Sequence, residues 1–410
     1  MVPGATPTRR TVLRGLGAGA AALALPAVVP ASALGLGGAT APSARITMGL
    51  IGAGGRGCYD LNAFLGYKEV QVLAVCDVQA GARGRAKDMV DKKYGRKECA
   101  AFSDLRDLIG RADIDAVLVG TPDHWHAIAS ILAMRAGKDV FCEKPLSLTI
   151  AEGREMVRTA RRYGRVFSCG SQRVRGDHGR TADLVNGGAI GRIREVRVST
   201  WGPSAPSSLA SQPVPAGMDW DLWLGPAPFA PYNANRCSGS GWRHISDYSG
   251  GGITDWGAHH FGGVLYAMGL EETGPAEILP PDGRDRKELT FRYADGLLVH
   301  HAVVGGPGGI AFVGDEGTLP GSRAAPKRPS TLRNYQGGSL PADFLSCVKT
   351  RTRPFQDVEY AHRAATMCHL TNIGYALKRP LKWDPLRERF IGDDEANRLL
   401  DRPRREPWRL

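Results

Sequence analysis

Two constellations of residue type and spacing could carry chemistry. The run Gly52-Ala53-Gly54-Gly55-Arg56-Gly57 has the spacing G-x-G-x-x-G. In that spacing the first glycine permits a tight turn, the second lets backbone approach a pyrophosphate, and the third lets a helix pack closely on a strand. Amides at the start of the following helix would then face the phosphates. Asp77 stands 20 residues beyond Gly57, where a carboxylate can accept ribose hydroxyls and would repel a 2′-phosphate. Val78 and Gln79 supply no arginine to offset that repulsion, so the pattern favours NAD over NADP. The other reading of Asp77 is a helix N-cap. In the second constellation Asp255 and His259 are four apart, which puts both on one face of a helix. The carboxylate could orient the imidazole and hold its tautomer while the imidazole accepts a proton. A capping aspartate followed by a packed histidine is the alternative. His260 is rotated about 100° from its neighbour on a helix and stays ambiguous, although it is kept among the candidate substrate contacts.

Elements that could position these residues follow from the apolar pattern. Residues 46–51 read as a strand entering the glycine run, and 58–65 as the helix leaving it. Further strands are expected at 70–76, 116–120 and 140–142, with helices at 83–94 and 126–136. Strand–helix alternation implies a parallel sheet whose ligands bind at the strand C-terminal ends. Thr121, Pro122, Glu143 and Lys144 lie at such ends. For Lys144 the bland reading is a surface lysine in a turn before Pro145. Beyond, 193–200 alternates as a strand, and 289–293 with 297–304 reads as a hairpin across Asp295-Gly296. Residues 201–247 form a long loop rich in Pro, Trp and Tyr that carries Arg236, Trp242, Arg243 and His244. A loop of that length is usually functional, either as a pocket wall or as a cover for the sheet edge. Arg236, Trp242 and Arg243 of this loop, together with Arg173 ahead of it, are the candidate sugar-binding side chains, with aromatic faces for C–H surfaces and guanidinium groups for hydroxyls.

The chain has 410 residues, 42% hydrophobic and 23% charged, which suits two packed domains. The formal charge of +12 raises a nucleic-acid reading. Three of those charges are Arg9, Arg10 and Arg14, ahead of the apolar run 16–29 and the small residues Ala31-Ser32-Ala33. That order is a signal peptide, and the arginine pair resembles the twin-arginine export signal, with Val12 where that signal usually has Phe. Without residues 1–33 the charge is +9 and diffuse, with no aromatic-interleaved basic patch, so no nucleic-acid partner is expected. The apolar run is short for a membrane span, and no stable insertion is expected after signal removal. The eight cysteines contain no C-x-x-C pair, and buried free thiols are expected. His124 and His126 do not share a helix face, and no cysteine or carboxylate completes a tetrahedral set, so no metal is expected.

The glycine run, Glu143-Lys144-Pro145 and Gly250-Gly251-Gly252-Ile253-Thr254-Asp255-Trp256-Gly257-Ala258-His259 together resemble the Gfo/Idh/MocA family of nicotinamide-dependent oxidoreductases. Thr121-Pro122-Asp123-His124-Trp125-His126 and Trp220-Asp221-Leu222-Trp223-Leu224-Gly225-Pro226 resemble its twin-arginine-exported branch. The resemblance implies an N-terminal Rossmann domain plus a C-terminal α/β domain with a large, mostly antiparallel open sheet, the sheet serving as substrate wall and homo-oligomer interface. The expected division is 1–33 signal, 34–44 linker, 45–166 NAD-binding domain, 167–380 substrate domain and 381–410 tail. It implies catalytic roles for Lys144, Asp255 and His259. Cofactor contacts are expected from Gly52, Gly54, Gly55, Arg56, Gly57, Asp77, Thr121, Pro122, Glu143 and Lys144, with His126 near the nicotinamide end. The implied reaction is hydride transfer from a secondary hydroxyl of a sugar or cyclitol. In an exported enzyme, free NAD(H) is not expected, so the cofactor would be held tightly or the net reaction would be redox-neutral, as in the family's NAD-dependent glycosidases.

Overall fold

A computed structural model describes residues 40–320 and 323–410. The expected signal over 1–33 lies outside the described residues, as do residues 34–39 of the expected linker. Buried apolar side chains fill β1 (Ile46–Ile51), β2 (Val70–Cys76), β4 (Ala116–Val119), β5 (Asp139–Cys142) and β6 (Phe167–Cys169), while β3 (Ala100–Phe102) is a short edge. Strands buried on both faces read as continuous apolar runs because helices cover both sides. Those helices are α1 (Gly55–Phe64), α2 (Ala80–Tyr94), α3 (Leu105–Ile109), α4 (Asp123–Arg135) and α5 (Ile150–Arg162). The sheet is parallel with order β3-β2-β1-β4-β5-β6. Strand order reverses between β1 and β4, and the turn after β1 therefore opens onto a crevice.

The second layer begins with α6 (Gly179–Asn186) and β7 (Ile193–Thr200). Next come α7 (Trp220–Leu224), α8 (Ala234–Cys237) and α9 (Gly252–Met268). A run of strands follows: β8 (Glu277–Leu279), β9 (Leu289–Arg292), β10 (Leu298–Val303), β11 (Gly309–Gly314) and β12 (Gly317–Leu319). The chain ends through α10 (Leu340–Thr350), α11 (Val358–Leu377), β13 (Leu381–Asp384), β14 (Arg389–Phe390) and α12 (Asp394–Arg398). The eight strands run β12-β11-β7-β10-β9-β8-β13-β14; β7 and β10 are parallel and the other pairs antiparallel. The hairpin β9–β10 forms where the alternation placed it. No described helix is long and apolar enough to cross a membrane.

Both expected borders of the second domain shift. β6, beyond residue 166, is the sixth strand of the first sheet, and β13 and β14, beyond 380, extend the second. Pairing partners decide this, and they are distant in sequence. The lobes also share one core: Phe344 of α10 packs edge-on against Phe64 (6.1 Å) and Phe141 (5.7 Å). Arg154 of α5 donates to Glu359 of α11 (2.7 and 2.9 Å) and to Glu388 (2.7 Å for both bonds). Although burial opposes it, that guanidinium holds the Glu359 carboxyl down at about 2.

Residues 201–247 are not structureless. Trp220 and Trp223 stack at 4.7 Å, Tyr232 and Tyr248 pack edge-on against them, and Val78 and Met218 join the cluster. Each such ring pair contributes about 0.5–1.5 kcal/mol beyond its buried area. Gln79 bridges to Met218, and Ala80 N–H donates to Gly217 O at 2.7 Å. The segment thus straps across the turn after β2. The C-terminal residues hold it there: Arg405 ion-pairs with Asp221, and Trp408 packs edge-on against Trp125 at 4.7 Å.

Candidate active site

One cavity of about 610 Å³ runs from the glycine turn to the N-terminus of α9. At the glycine end, Gly52 has φ +91°, and a Cβ there would meet Thr121 N at 2.6 Å. A Cβ on Gly57 would sit 2.0 Å from Gly52 O, so this glycine serves close packing and does not line the cavity. Gly54 and Gly55 do line it, and nothing lies within 4 Å of where their Cβ atoms would be. This is an open cradle at the first turn of α1. Asp77 accepts Ala53 N–H (2.7 Å) and Gln79 N–H (2.8 Å), one on each oxygen. Burial nevertheless raises its pKa, against those two bonds. Each oxygen keeps a lone pair for a ribose hydroxyl. α2 also returns Arg85 to this wall, an arginine that the residues directly after Asp77 did not reveal.

At the other end, Lys144 leaves β5 and its ammonium reaches α9. It forms a short ion pair with Asp255 Oδ1 and donates to Asp255 O at 3.0 Å. Arg243 Nε stands 3.6 Å from the same Oδ1. Asp255 and His259 both face the cavity, as the four-residue spacing predicts. The expected carboxylate–imidazole contact is absent, however. Two cations outcompete a neutral ring for Asp255. His259 is 4% exposed with its Nδ1 buried and unpartnered. Burial, then Lys144 and Arg173, push its pKa well below the ordinary 6.5. Those influences favour the neutral ring.

Glu143 accepts Arg56 Nη2 at 2.8 Å, and Arg56 Nη2 also meets Asp60 at 3.0 Å. Burial raises both carboxyls, Asp60 to about 8 with help from Glu143, so the pair around Arg56 retains a proton. Thr121 and Pro122 line the cavity, and Thr121 Oγ1 is buried without a partner. Arg173 lies 4.9 Å over the Trp256 ring and Arg243 lies 4.4 Å over the Trp242 ring; all four line the cavity.

Three expected site residues are directed elsewhere. His126 spans Pro145 O (2.7 Å) and Thr121 O (2.9 Å), and bracing two backbone segments keeps it out of the cavity wall. Burial pushes it down to about 4. His260 bonds Ser199 O of β7 at 3.1 Å and packs against His178 at 5.3 Å, facing the sheet. Arg236 is 3% exposed beneath Tyr248. For the two histidines a nonlocal backbone carbonyl satisfies a group that looked chemical in sequence; Arg236 is buried with its Nε unpartnered.

The structure adds residues that sequence reasoning did not single out. Asp123, the first residue of α4, lines the cavity and accepts Ser249 Oγ at 2.7 Å. Burial lifts it to about 7. Its position just past the end of β4 was the available signal. Gln172 also lines the cavity, with Oε1 buried and unpartnered. Among the described residues no group of three or more His, Cys, Asp or Glu could hold a metal ion. The open glycine cradle, the anchored Asp77 and the unpartnered atoms at the far end fit a dinucleotide. A cavity of this size is in the range for cofactor sites.

Comparison with known proteins agrees. Structurally the chain is similar to the WlbA dehydrogenase of Bordetella pertussis, solved with NADH and UDP-GlcNAcA, at TM-score 0.60 and 17% identity, over 83% of this chain and 99% of that one. It is also similar to scyllo-inositol dehydrogenase of Lactobacillus casei, solved with NAD(H) and scyllo-inositol, at TM-score 0.56 and 18% identity, over 82% and 99%. At those identities the likeness is one of fold. A glycosyl hydrolase family 109 protein of Shewanella baltica is 38% identical over 121 residues, 28% of this chain and 26% of that protein. The alpha-N-acetylgalactosaminidase of Shewanella oneidensis is 35% identical over 137 residues, 32% and 30%. This chain therefore matches only about a quarter to a third of these relatives' lengths. Residues 46–171 match the family model described as the oxidoreductase family's NAD-binding Rossmann fold, and 198–410 match that of its C-terminal alpha/beta domain. With both halves of the cavity accounted for in this way, the chain belongs to the Gfo/Idh/MocA family of oxidoreductases.

Proposed function

We propose that the protein is an NAD-dependent oxidoreductase acting on a secondary hydroxyl of a sugar or cyclitol. The observation that carries this reading is that Lys144 and the buried His259, whose Nδ1 has no partner, line the same cavity as the glycine cradle. NAD, when bound, supplies the hydride acceptor. Lys144, oriented by Asp255, donates a hydrogen bond to the substrate oxygen and stabilises the negative charge that grows there. His259 takes the hydroxyl proton, for which a ring kept neutral by burial is suited. Trp256 and Trp242 offer faces to the sugar's C–H surface, and Gln172 Oε1 accepts one of its hydroxyls.

Export through the twin-arginine pathway, with the cofactor already in place, belongs to the same proposal. The strap of Gly217 and Met218 across Gln79 and Ala80 supports it, because an enclosed cofactor leaves slowly. Self-association through the open face of the second sheet is also proposed, and sedimentation velocity tests it. The deciding experiment denatures the purified protein and measures released NAD(H). One equivalent per chain is expected, and a protein that neither carries nor binds NAD ends this reading.

A second reading rests on the glycosyl hydrolase family 109 relatives. There the net reaction is redox-neutral glycoside cleavage, and His259 or Lys144 has the further task of removing the proton beside the oxidised carbon. Aryl glycosides separate the two: aglycone release without NADH accumulation favours cleavage, and NADH accumulation from free sugars favours net oxidation.

A further inference from the structure

Cations gather at the reacting end. Three cations face this part of the cavity: Lys144, Arg173 and Arg243. Asp255 is the single carboxylate answering Lys144 and Arg243 together, and it meets Arg243 only at 3.6 Å, beyond a hydrogen bond. Glu143 is engaged by Arg56, which it shares with Asp60, and its other oxygen accepts Lys144 N–H at 3.2 Å. Asp123 is buried and already accepts Ser249 Oγ at 2.7 Å, and burial raises its pKa. Asp177 reaches Arg173 from outside, with its side chain 60% exposed, and a surface partner of that kind is worth little. After burial, Lys144 and Arg173 lower the pKa of His259, and Lys144 and Arg243 lower that of His126.

Two of the cations are also shaped to receive something. Arg173 and Arg243 each lie over an indole, Trp256 and Trp242, which helps to hold the guanidinium; Arg173 Nη1 is engaged by Asp177 and its other donors remain, while those of Arg243 are all unused. Among the described residues the Arg243 side chain makes no hydrogen bond, although it lines the cavity and is only partly exposed. Such a fork matches the two oxygens of a carboxylate. A neutral sugar would leave these charges partly desolvated and unanswered, which costs binding energy. The phosphates of a dinucleotide have their own cradle at Gly54 and Gly55.

We propose that the substrate is a sugar acid, a hexuronate or a glycoside of one, whose carboxylate is received by Arg173 and Arg243 while Lys144 and His259 address its reacting hydroxyl. The proposal rests on the oxidoreductase reading of this site and names its substrate class.

The test is binding to the NAD-loaded protein, followed by calorimetry and by quenching of tryptophan fluorescence. The probes are D-glucuronate and D-galacturonate, their uncharged amides, and D-glucose and D-galactose. At least one acid binds ten-fold or more tighter than its own amide and parent hexose, and the gap narrows as salt is raised. Arg173→Gln and Arg243→Gln each lower the acid's affinity about ten-fold, and the double variant removes the preference. Equal affinity for acid and amide, no affinity for either acid, or a preference that survives in the double variant overturns the proposal. The wild-type comparison stands even where a variant does not fold. NADH formation is read separately. Acid-selective binding with no NADH from any sugar supports this proposal and sinks the hydride-transfer reading. NADH from the hexoses without acid selectivity sinks this proposal alone.

Discussion

Asp77 and His259 stand at opposite ends of one cavity and are held in opposite ways. Asp77 has a backbone donor on each oxygen, and a Cβ added at Gly52 or Gly57 would fall 2.6 or 2.0 Å from a backbone atom. This end is finished before a ligand arrives. At the other end His259 Nδ1, Gln172 Oε1 and Thr121 Oγ1 are buried with nothing to bond, and two arginines lie over indoles with donors to spare. A buried polar atom without a partner costs about 1–3 kcal/mol. That cost is tolerable where a ligand later removes it, so the fold spends its order on the cofactor end and leaves the reacting end incomplete.

The largest effect expected from this contrast is at Lys144. Lys144→Met removes the one ammonium at the reacting end and leaves the glycine end untouched. Turnover should fall about 10³-fold or more, while NAD affinity changes less than ten-fold. Stopped-flow NADH formation and a cofactor titration measure the two separately. A variant that loses NAD and turnover in parallel would break the division between the ends.

The glycines should split in a second way. A methyl on Gly57 meets Gly52 O at 2.0 Å whether or not cofactor is present. Gly57→Ala should therefore cost about 3 kcal/mol of stability, read as a lowered urea midpoint. A methyl on Gly54 meets nothing within 4 Å and projects into the cradle. Gly54→Ala should leave the urea midpoint of the cofactor-free protein within about 0.5 kcal/mol and weaken NAD binding at least ten-fold. The reverse pattern would show that the roles of the two glycines have been exchanged.

The same contrast explains what was legible in the sequence. The glycine end is built from neighbours: 52–57 and 77–79 lie within one strand–helix–strand unit, so spacing alone places them. The parallel sheet and the β9–β10 hairpin were legible for the same local reason. The reacting end is assembled from residues near 121, 144, 172, 243 and 255, and spacing says nothing about which of these meet. Helical spacing put Asp255 and His259 on one face, but Lys144, 111 residues away, decided where the carboxylate bonds. His126 and His260 looked like ligands until Pro145 O and Ser199 O claimed them. Asp123 was passed over because a single aspartate after a proline reads as an ordinary helix start.

Asp123 gives a smaller effect, on stability. Its folded pKa is raised to about 7 from an ordinary 3.8, so the folded state holds a proton that the unfolded state releases earlier. Its contribution is complete below the ordinary value and is lost as pH rises through about 7. The slope is at most about 1.4 kcal/mol per pH unit. Asp123→Asn is neutral throughout, so its stability should gain on the wild type between pH 4 and 7 and run parallel above. Parallel curves over the whole range would mean that Asp123 is ionised in the folded protein.

The smallest shift is the most specific to the reacting end. In the proposed role His259 acts as a base only when unprotonated, and burial first, then Lys144 and Arg173, push its pKa well below 6.5. The acid limb of kcat/KM should accordingly fall well below the usual imidazole value, with no inflection near 6.5. Arg173→Gln removes one of the two named cations and leaves the burial, so the limb should move upward by less than one pH unit. An unmoved limb would leave burial as the whole cause of the shift. A limb near 6.5 in the wild type would mean that an exposed group, and not His259, takes the proton.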